Sequence, residues 1–341
     1  MRPTVHDIAA VAGVSLATVD RVLNQRPGVR QVTREKVENA IRELGYVRDV
    51  AAANLAKGRT YPLVFILPAS DNSFMHALNA EVRAAVARSP VDRTEIRTIE
   101  VPAFDPAALA AVLEKLVEER PAGVALVATD APDVRDAVDR LVKEGIPVVT
   151  VVSDLTGSQR HHYAGVDNIA AGRTAARLLG RFLGGAKGDV AVLAGSMLVR
   201  DHRERLEGFA AVIAQEFPSL SLLPVIEGRD DPEMAHMLVA DALSKKIGIV
   251  GVYSLGAGNR GLIRALKENA GNRALTVIAH ELTAHTRAAL VDGTIDAILN
   301  QDAGHEVRSA IRVLKAKADG LAVIDGQERI RLDIFLKDNL P

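Results

Sequence analysis

The 341-residue sequence has no cysteine and no tryptophan, and aromatic side chains make up only 3% of it. Without cysteine there can be no disulfide, zinc–thiolate site or thiol nucleophile, and the chain fits a reducing compartment. With so few aromatics, any large core must be built from Ala, Val, Leu and Ile. No stretch approaches the roughly 20 uninterrupted apolar residues of a membrane span. The opening "MRPTVHDIAAVAGVS" lacks the continuous apolar centre and cleavage pattern of a secretory signal, so a cytoplasmic protein is the expectation. The net charge is only −1, but it is unevenly distributed. Residues 1–60 hold 10 Lys/Arg against 6 Asp/Glu, and the remainder holds 32 against 37. A basic head on a mildly acidic body points to a polyanionic partner for the head alone.

Three patterns follow one another along the chain. Residues 1–48 are polar and helical in period. Thr4 with Asp7 forms a capping signal, Ile8, Val11 and Ala12 recur at helical spacing, and Gly13 breaks the run. Ser15 caps a second helix. A third, in "VTREKVENAIRELGY", has Thr33 as its cap, Val37, Ile41 and Leu44 as its buried stripe and Gly45 as its stop. Residues 49–60, "DVAAANLAKGRT", are helix-permissive but too short to be stable alone, and read as a linker. From Tyr61 onward, apolar runs alternate with amphipathic helices: "YPLVFILP", "GVALVAT", "IPVVTVV", "GDVAVLAG", "IGIVGVYS" and "LTVIAHE". Such runs indicate parallel sheets covered on both faces, and a body this long implies two α/β lobes with a cleft between them.

The spacing in residues 5–24 satisfies a helix-turn-helix. Ala9 is small at the crossing, Gly13 suits a left-handed turn, and Ile8, Val14, Val19 and Val22 face a third helix. The outward face of the second helix carries Leu16, Ala17, Asp20, Arg21 and Asn24. Arginine has a direct warrant there, since bidentate contact to guanine is the commonest specific major-groove contact.

The stretch "TVHDIAAVAGVSLATVDRVLN" resembles the headpiece of the lac repressor (LacI/GalR) family of transcription regulators, and "ELGY" and "A..LA.GRT" are similar to that family too. The resemblance extends over the body, which is similar to the ribose-binding branch of periplasmic sugar-binding proteins. It implies an all-α helix-turn-helix headpiece (1–48), a hinge (49–60) and an α/β two-lobed periplasmic-binding-protein-like core with parallel sheets (61–341). The first lobe is drawn at about 61–164 and 296–324, the second at about 165–295 and 325–341. Leu16, Ala17 and Arg21 then stand at base-reading positions, the first two suited to thymine methyls. Thr4, Ser15, Thr18 and Asn24 stand at backbone contacts and caps. In the hinge, Leu55, preceded by Asn54, takes the place of a leucine wedged into a central minor-groove step.

Asp20 departs from the serine common in the family. A carboxylate cannot donate to phosphate, which leaves three readings: it accepts from a cytosine amino group, it holds Arg21 or a neighbouring basic side chain, or it is solvated away from the groove.

For the cleft, the resemblance implies effector-binding residues Asn72, Phe74, Ser153, Asp154, Asp167, Asn168, Arg205, Ser254, Glu281 and Gln301. Carboxylates, amides and one arginine suit a polyol, whose hydroxyls both donate and accept. Asp167 also fits as the cap of the helix beginning at Ile169, and Arg205 as an interlobe ion pair. The implied partners are pseudo-palindromic operator DNA, a sugar or polyol effector and a second copy of the chain, with no cofactor and no metal. No leucine-heptad segment follows "RIRLDIFL", so a dimer is expected rather than a tetramer.

Two motifs point elsewhere. "GAGNRG" (256–261) follows a strand, opens a helix and has Glu281 about 20 residues on, as in a dinucleotide fingerprint, but it lies deep in the second lobe rather than in a first βα unit. "HELTAH" places His280 and His285 five apart, off the i, i+4 spacing of helical zinc ligands. A transporter-type sugar-binding protein would have no use for residues 1–60.

Overall fold

The computed structural model describes residues 3–24, 26–46, 58–245, 248–269 and 274–341. The chain forms two compact units, Met1–Arg59 and Thr60–Pro341.

The head contains α1 (Val5–Ala12), α2 (Leu16–Leu23) and α3 (Gln31–Leu44). Thr4 and Asp7 form a reciprocal capping box, and Gly13 ends α1 at φ 64°, a left-handed conformation that favours glycine. Ser15 caps α2. Ile8, Val19, Val22, Val37 and Ala40 are buried together, with Ala9, Val14, Ile41 and Leu44 packed around them. The third helix starts earlier than the sequence suggests. Its N-cap is Arg30, without a side-chain cap bond, so Thr33 lies inside the first turn. Gly45 closes it at φ 59°.

The second unit has two sheets. In the first lobe the order is β2-β1-β3-β4-β5, all parallel, comprising β1 (Tyr61–Ala69), β2 (Thr94–Pro102), β3 (Gly123–Leu126), β4 (Val148–Val151) and β5 (His162–Ala164). The apolar-run criterion passes over β2. It is an edge strand whose Glu95, Arg97 and Glu100 interrupt the hydrophobic run, yet it pairs with β1 along nine residues. Helices α4 (Ser73–Asp92) and, from late in the chain, α12 (Ala303–Ala318) cover one face, while α5 (Pro106–Glu119) and α6 (Pro132–Lys143) cover the other.

The second sheet runs β12-β11-β10-β9-β6-β7, with β8 (Ile226–Glu227) beside β6. Its strands are β6 (Gly188–Ala194), β7 (Leu220–Leu222), β9 (Ile249–Ser254), β10 (Thr276–His280), β11 (Ala297–Gln301) and β12 (Leu332–Phe335). The last pairs antiparallel to β11. Helices α7 (Asn168–Phe182) and α8 (Arg200–Glu216) lie on one face. Helices α9 (Pro232–Lys245), α10 (Asn259–Asn269) and α11 (Ala284–Asp292) lie on the other.

The lobe boundary expected at residue 296 is misplaced. Strand β11 pairs with β10 in the second sheet, and the chain crosses only after Gln301. An apolar run such as "AILN" fits the centre of either sheet, so the sequence does not say which one takes it. The boundary at 325 is also early. Glu328, in α13 (Asp325–Glu328), accepts from Arg312 Nε at 2.9 Å, which ties the segment to α12 of the first lobe.

Candidate DNA-reading helix and effector cleft

On α2, Leu16 is 42% exposed, and Ala17, Asp20 and Arg21 are exposed beside it, with Asn24 half-buried. The hydroxyls of the helix ends are occupied. Thr4 accepts from the Asp7 amide at 3.4 Å, and Ser15 Oγ accepts from the Thr18 amide at 3.3 Å and lies 2.9 Å from Thr18 Oγ1. Asp20 has specific partners: its Oδ1 accepts from Asn24 Nδ2 at 2.6 Å, and its Oδ2 accepts from Arg26 Nη1 at 3.2 Å. Of the three readings left open by the sequence, the hold on a neighbouring basic side chain has a contact in the structure, with Arg26 rather than Arg21. Asn54 and Leu55 lie outside the described residues.

In the second unit, both lobes contribute to a cleft. Six of the ten predicted residues line it: Asn72, Phe74, Ser153, Arg205, Glu281 and Gln301. The other four sit elsewhere. Asp154 forms a two-pronged ion pair with Arg160 and accepts from Thr150 Oγ1 at 2.8 Å, all within the first lobe. Although burial opposes its charge, the Arg160 guanidinium holds its carboxyl below the usual range. Asp167 is the N-cap of α7, accepting from the Ala170 amide at 2.9 Å. Ser254 donates to Asn259 Oδ1 at 2.7 Å, locking a strand end to the next helix. Asn168 acts at one remove, its Oδ1 accepting from Arg205 Nε at 2.8 Å.

Arg205 is held from three sides. Besides Asn168, it donates through Nη1 to the Leu255 carbonyl at 2.6 Å and through Nη2 to Glu281 at 3.4 Å. This is not the interlobe pair weighed from sequence, because both charges stand on the second lobe. Glu281 also accepts from Gln301 Nε2 at 2.9 Å. Burial pushes the Glu281 carboxyl up to about 7 against the pull of Arg205.

The backbone lining the cleft is unusual. Among the described residues, seven non-glycine residues have positive φ. Arg93 and Arg120 are ordinary left-handed helix ends, but Phe104, Val152, Asp230 and Glu281 all line the cleft, at φ 60°, 63°, 59° and 71°. At Val152, a β-branched residue, the Ser153 amide donates back to the Val151 carbonyl at 2.6 Å, a γ-turn that sets Ser153 at the cleft wall. Strain of this kind collects where side-chain placement matters more than backbone ease.

The lobes are bridged across the cleft mouth. Ser70 Oγ donates to Asp230 Oδ2 at 3.2 Å, Arg260 pairs with Asp71, and Asp130 of the first lobe takes Arg203 and, at 3.9 Å, Arg200 of α8.

Residues 63–322 match the model of the periplasmic binding protein domain, and residues 4–49 match that of the bacterial regulatory proteins of the lacI family. The chain belongs to the periplasmic-binding-protein domain family and carries a lacI-family head. Among similar curated proteins, the transcriptional regulator DegA of Bacillus subtilis is 26% identical over 211 residues, 61% of this chain and 60% of that protein. GalS of Salmonella typhimurium is 24% identical over 267 residues, 78% of this chain and 76% of that one. RegA of Clostridium saccharobutylicum is 43% identical over 74 residues, 22% of each chain. The matches to DegA and RegA thus span under two thirds of those relatives. Among solved structures, GanP, a glucose-galactose binding protein from Geobacillus stearothermophilus, superposes with a TM-score of 0.73 at 20% identity, covering 83% of this chain and 99% of its own. That likeness shows the fold.

Within this periplasmic-binding-protein frame, the glycines of 256–261 have local explanations. Gly256 and Gly258 adopt φ 130° and 76°, and a Cβ on Gly261 would stand 2.1 Å from the Pro232 carbonyl oxygen where α10 crosses α9. His280 is buried against Tyr253 OH at 2.9 Å, whereas His285 is exposed on α11.

The sequence reading missed Phe104, Asp201, His202 and Asp230, all of which line the cleft. Asp201 had a usable signal, since it lies four residues before Arg205 and so on the same helix face. Asp230, in the turn-rich "GRDDP", had none.

Proposed function

We propose that this protein is a sequence-specific DNA-binding transcription regulator, a repressor of a carbohydrate-uptake or catabolic operon. It acts as a cytoplasmic homodimer on a pseudo-palindromic operator, and a sugar or polyol in the cleft controls it. The carrying observation is one chain that joins a helix-turn-helix, Leu16, Ala17 and Arg21 exposed on its second helix, to a polar cleft bridged by ion pairs. The name of one relative supports the carbohydrate reading: the sucrose operon repressor of Vibrio alginolyticus, 46% identical over 52 residues.

In this reading α2 enters the major groove, with Arg21 and the apolar pair Leu16 and Ala17 at base edges. Asp20 restrains Arg26 and Asn24 rather than touching bases. Leu55 of the hinge wedges into the minor groove. Effector binding changes how the lobes close, and effector and operator alter each other's affinity by the same factor.

The test is operator binding by fluorescence anisotropy, after selection of the operator from a random library. The full chain should bind, with affinity falling by roughly 0.9 log units per log unit of salt for each phosphate neutralised. Leu55→Ala and removal of residues 1–58 should abolish specific binding while leaving effector binding intact. Operator affinity that survives removal of the head overturns the assignment.

A further inference from the structure

The cleft carries information about the charge of its ligand, and the inference drawn from it rests on the sugar or polyol reading above. Four buried side-chain oxygens lining it have no hydrogen-bond partner: Ser153 Oγ, Asp201 Oδ1, Asp230 Oδ1 and Gln301 Oε1. The last three are acceptors only. A buried acceptor is stable when a donor meets it, so the missing donors belong to what fills the space. His202 also stands in the lining, its Nδ1 2.9 Å from the Ser196 carbonyl oxygen.

Donors are scarce. Arg205 has five N–H groups, of which three are committed to Asn168, Leu255 and Glu281. Among the described residues it is the one Arg or Lys side chain that lines the cleft, against Asp201, Asp230 and Glu281. An anionic group drawn to the remaining Arg205 donors would also meet Glu281, which already shares that guanidinium. It would do so in a water-poor space where like charges are weakly screened.

We infer that the cleft selects a neutral polyhydroxylated ligand, whose hydroxyls donate to Asp201, Asp230 and Gln301, and rejects phosphorylated and carboxylated sugars. Asp201 and Asp230 set this choice. Phe74 and Phe104, the aromatic rings in the lining, cover the apolar faces of the ligand.

Matched sets test this with the full chain: aldoses and polyols, the corresponding sugar phosphates, and the corresponding uronic acids. Each is screened by thermal shift and then by calorimetry, with operator anisotropy as an independent readout. The expected result is a neutral member that raises the unfolding midpoint, its phosphate and uronate binding at least about 30-fold more weakly. In Asp201→Asn and Asp230→Asn, affinity for the neutral ligand falls and discrimination against the uronate narrows. Because that ratio is measured within one folded protein, a loss of stability does not mimic it. A phosphate or uronate that binds more tightly than its neutral counterpart overturns the inference while leaving the regulator reading in place. If no member of any set moves either the unfolding midpoint or operator affinity, the carbohydrate reading falls with it.

Discussion

At the residue scale, position at a strand end does not tell whether a carboxylate turns into the cleft or toward its own lobe. Glu281 and Asp154 both follow buried strands, yet Glu281 lines the cleft beside Arg205, and Asp154 is taken up by Arg160. A partner six residues later in a loop has no fixed direction that spacing reveals, so the sequence reading treated the two alike. Glu281 carries a testable consequence of its position. It is fully buried, facing Arg205 and the Asp201 carboxylate, and burial raises its pKa from 4.5 to about 7. With the folded value above the unfolded one, this group's stabilising contribution is whole below pH 4.5 and is lost as pH rises through 7. The loss is on the order of 3 kcal/mol. Urea denaturation at pH 5 and pH 8 should therefore show a larger drop for the wild type than for Glu281→Gln, which cannot ionise. Equal drops in the two proteins would refute the assigned burial.

At the scale of elements, six apolar runs were enough to place β1, β3, β4, β6, β9 and β10, because central parallel strands are covered on both faces and are apolar along most of their length. Edge strands are half-exposed, which is why β2 escaped the same criterion. What the sequence could not show is how closely helices cross. Gly172 in α7 and Gly208 in α8 look like poor helix formers in mid-helix. In the structure, a Cβ on Gly172 would lie 1.9 Å from the Arg205 carbonyl oxygen, and one on Gly208 would lie 2.1 Å from that of Ile169. Both obstacles are backbone, so no rotamer change relieves them. This close crossing brings Asn168 of α7 within reach of Arg205 of α8, and so aims the cleft's arginine. Gly172→Ala should destabilise the chain by about 2–3 kcal/mol in chemical denaturation. It should also weaken effector binding in protein that remains folded, because α8 must shift with its arginine. Unchanged stability would show that the two helices have room to separate.

At the scale of the molecule, regulation requires two arrangements of the lobes whose balance the effector can tilt. The ion pairs across the cleft are the evident source of that balance. Asp130 is the most heavily engaged of these groups: its side chain, 12% exposed, meets Arg135 of its own lobe at 2.7 Å and Arg203 and Arg200 of the other. Opening the cleft separates Asp130 from the two α8 arginines. Without the carboxylate, Arg135 and Arg203 lose the anion between them, while Arg200 keeps Glu204 at 2.6 Å, and closure is favoured less. Because Arg203 is 39% exposed, solvent screens much of this effect, and about 1 kcal/mol is the appropriate scale. Asp130→Ala should therefore enlarge the radius of gyration of the effector-free chain in solution scattering and weaken effector binding roughly fivefold. It leaves the head untouched, so operator affinity without effector should change only through the lobe equilibrium. Because coupling is reciprocal, the effector concentration that half-changes operator binding should rise by the same factor, whether the effector releases or promotes DNA binding. An effector affinity indistinguishable from the wild type would mean that the latch forms only after closure and does not help to drive it.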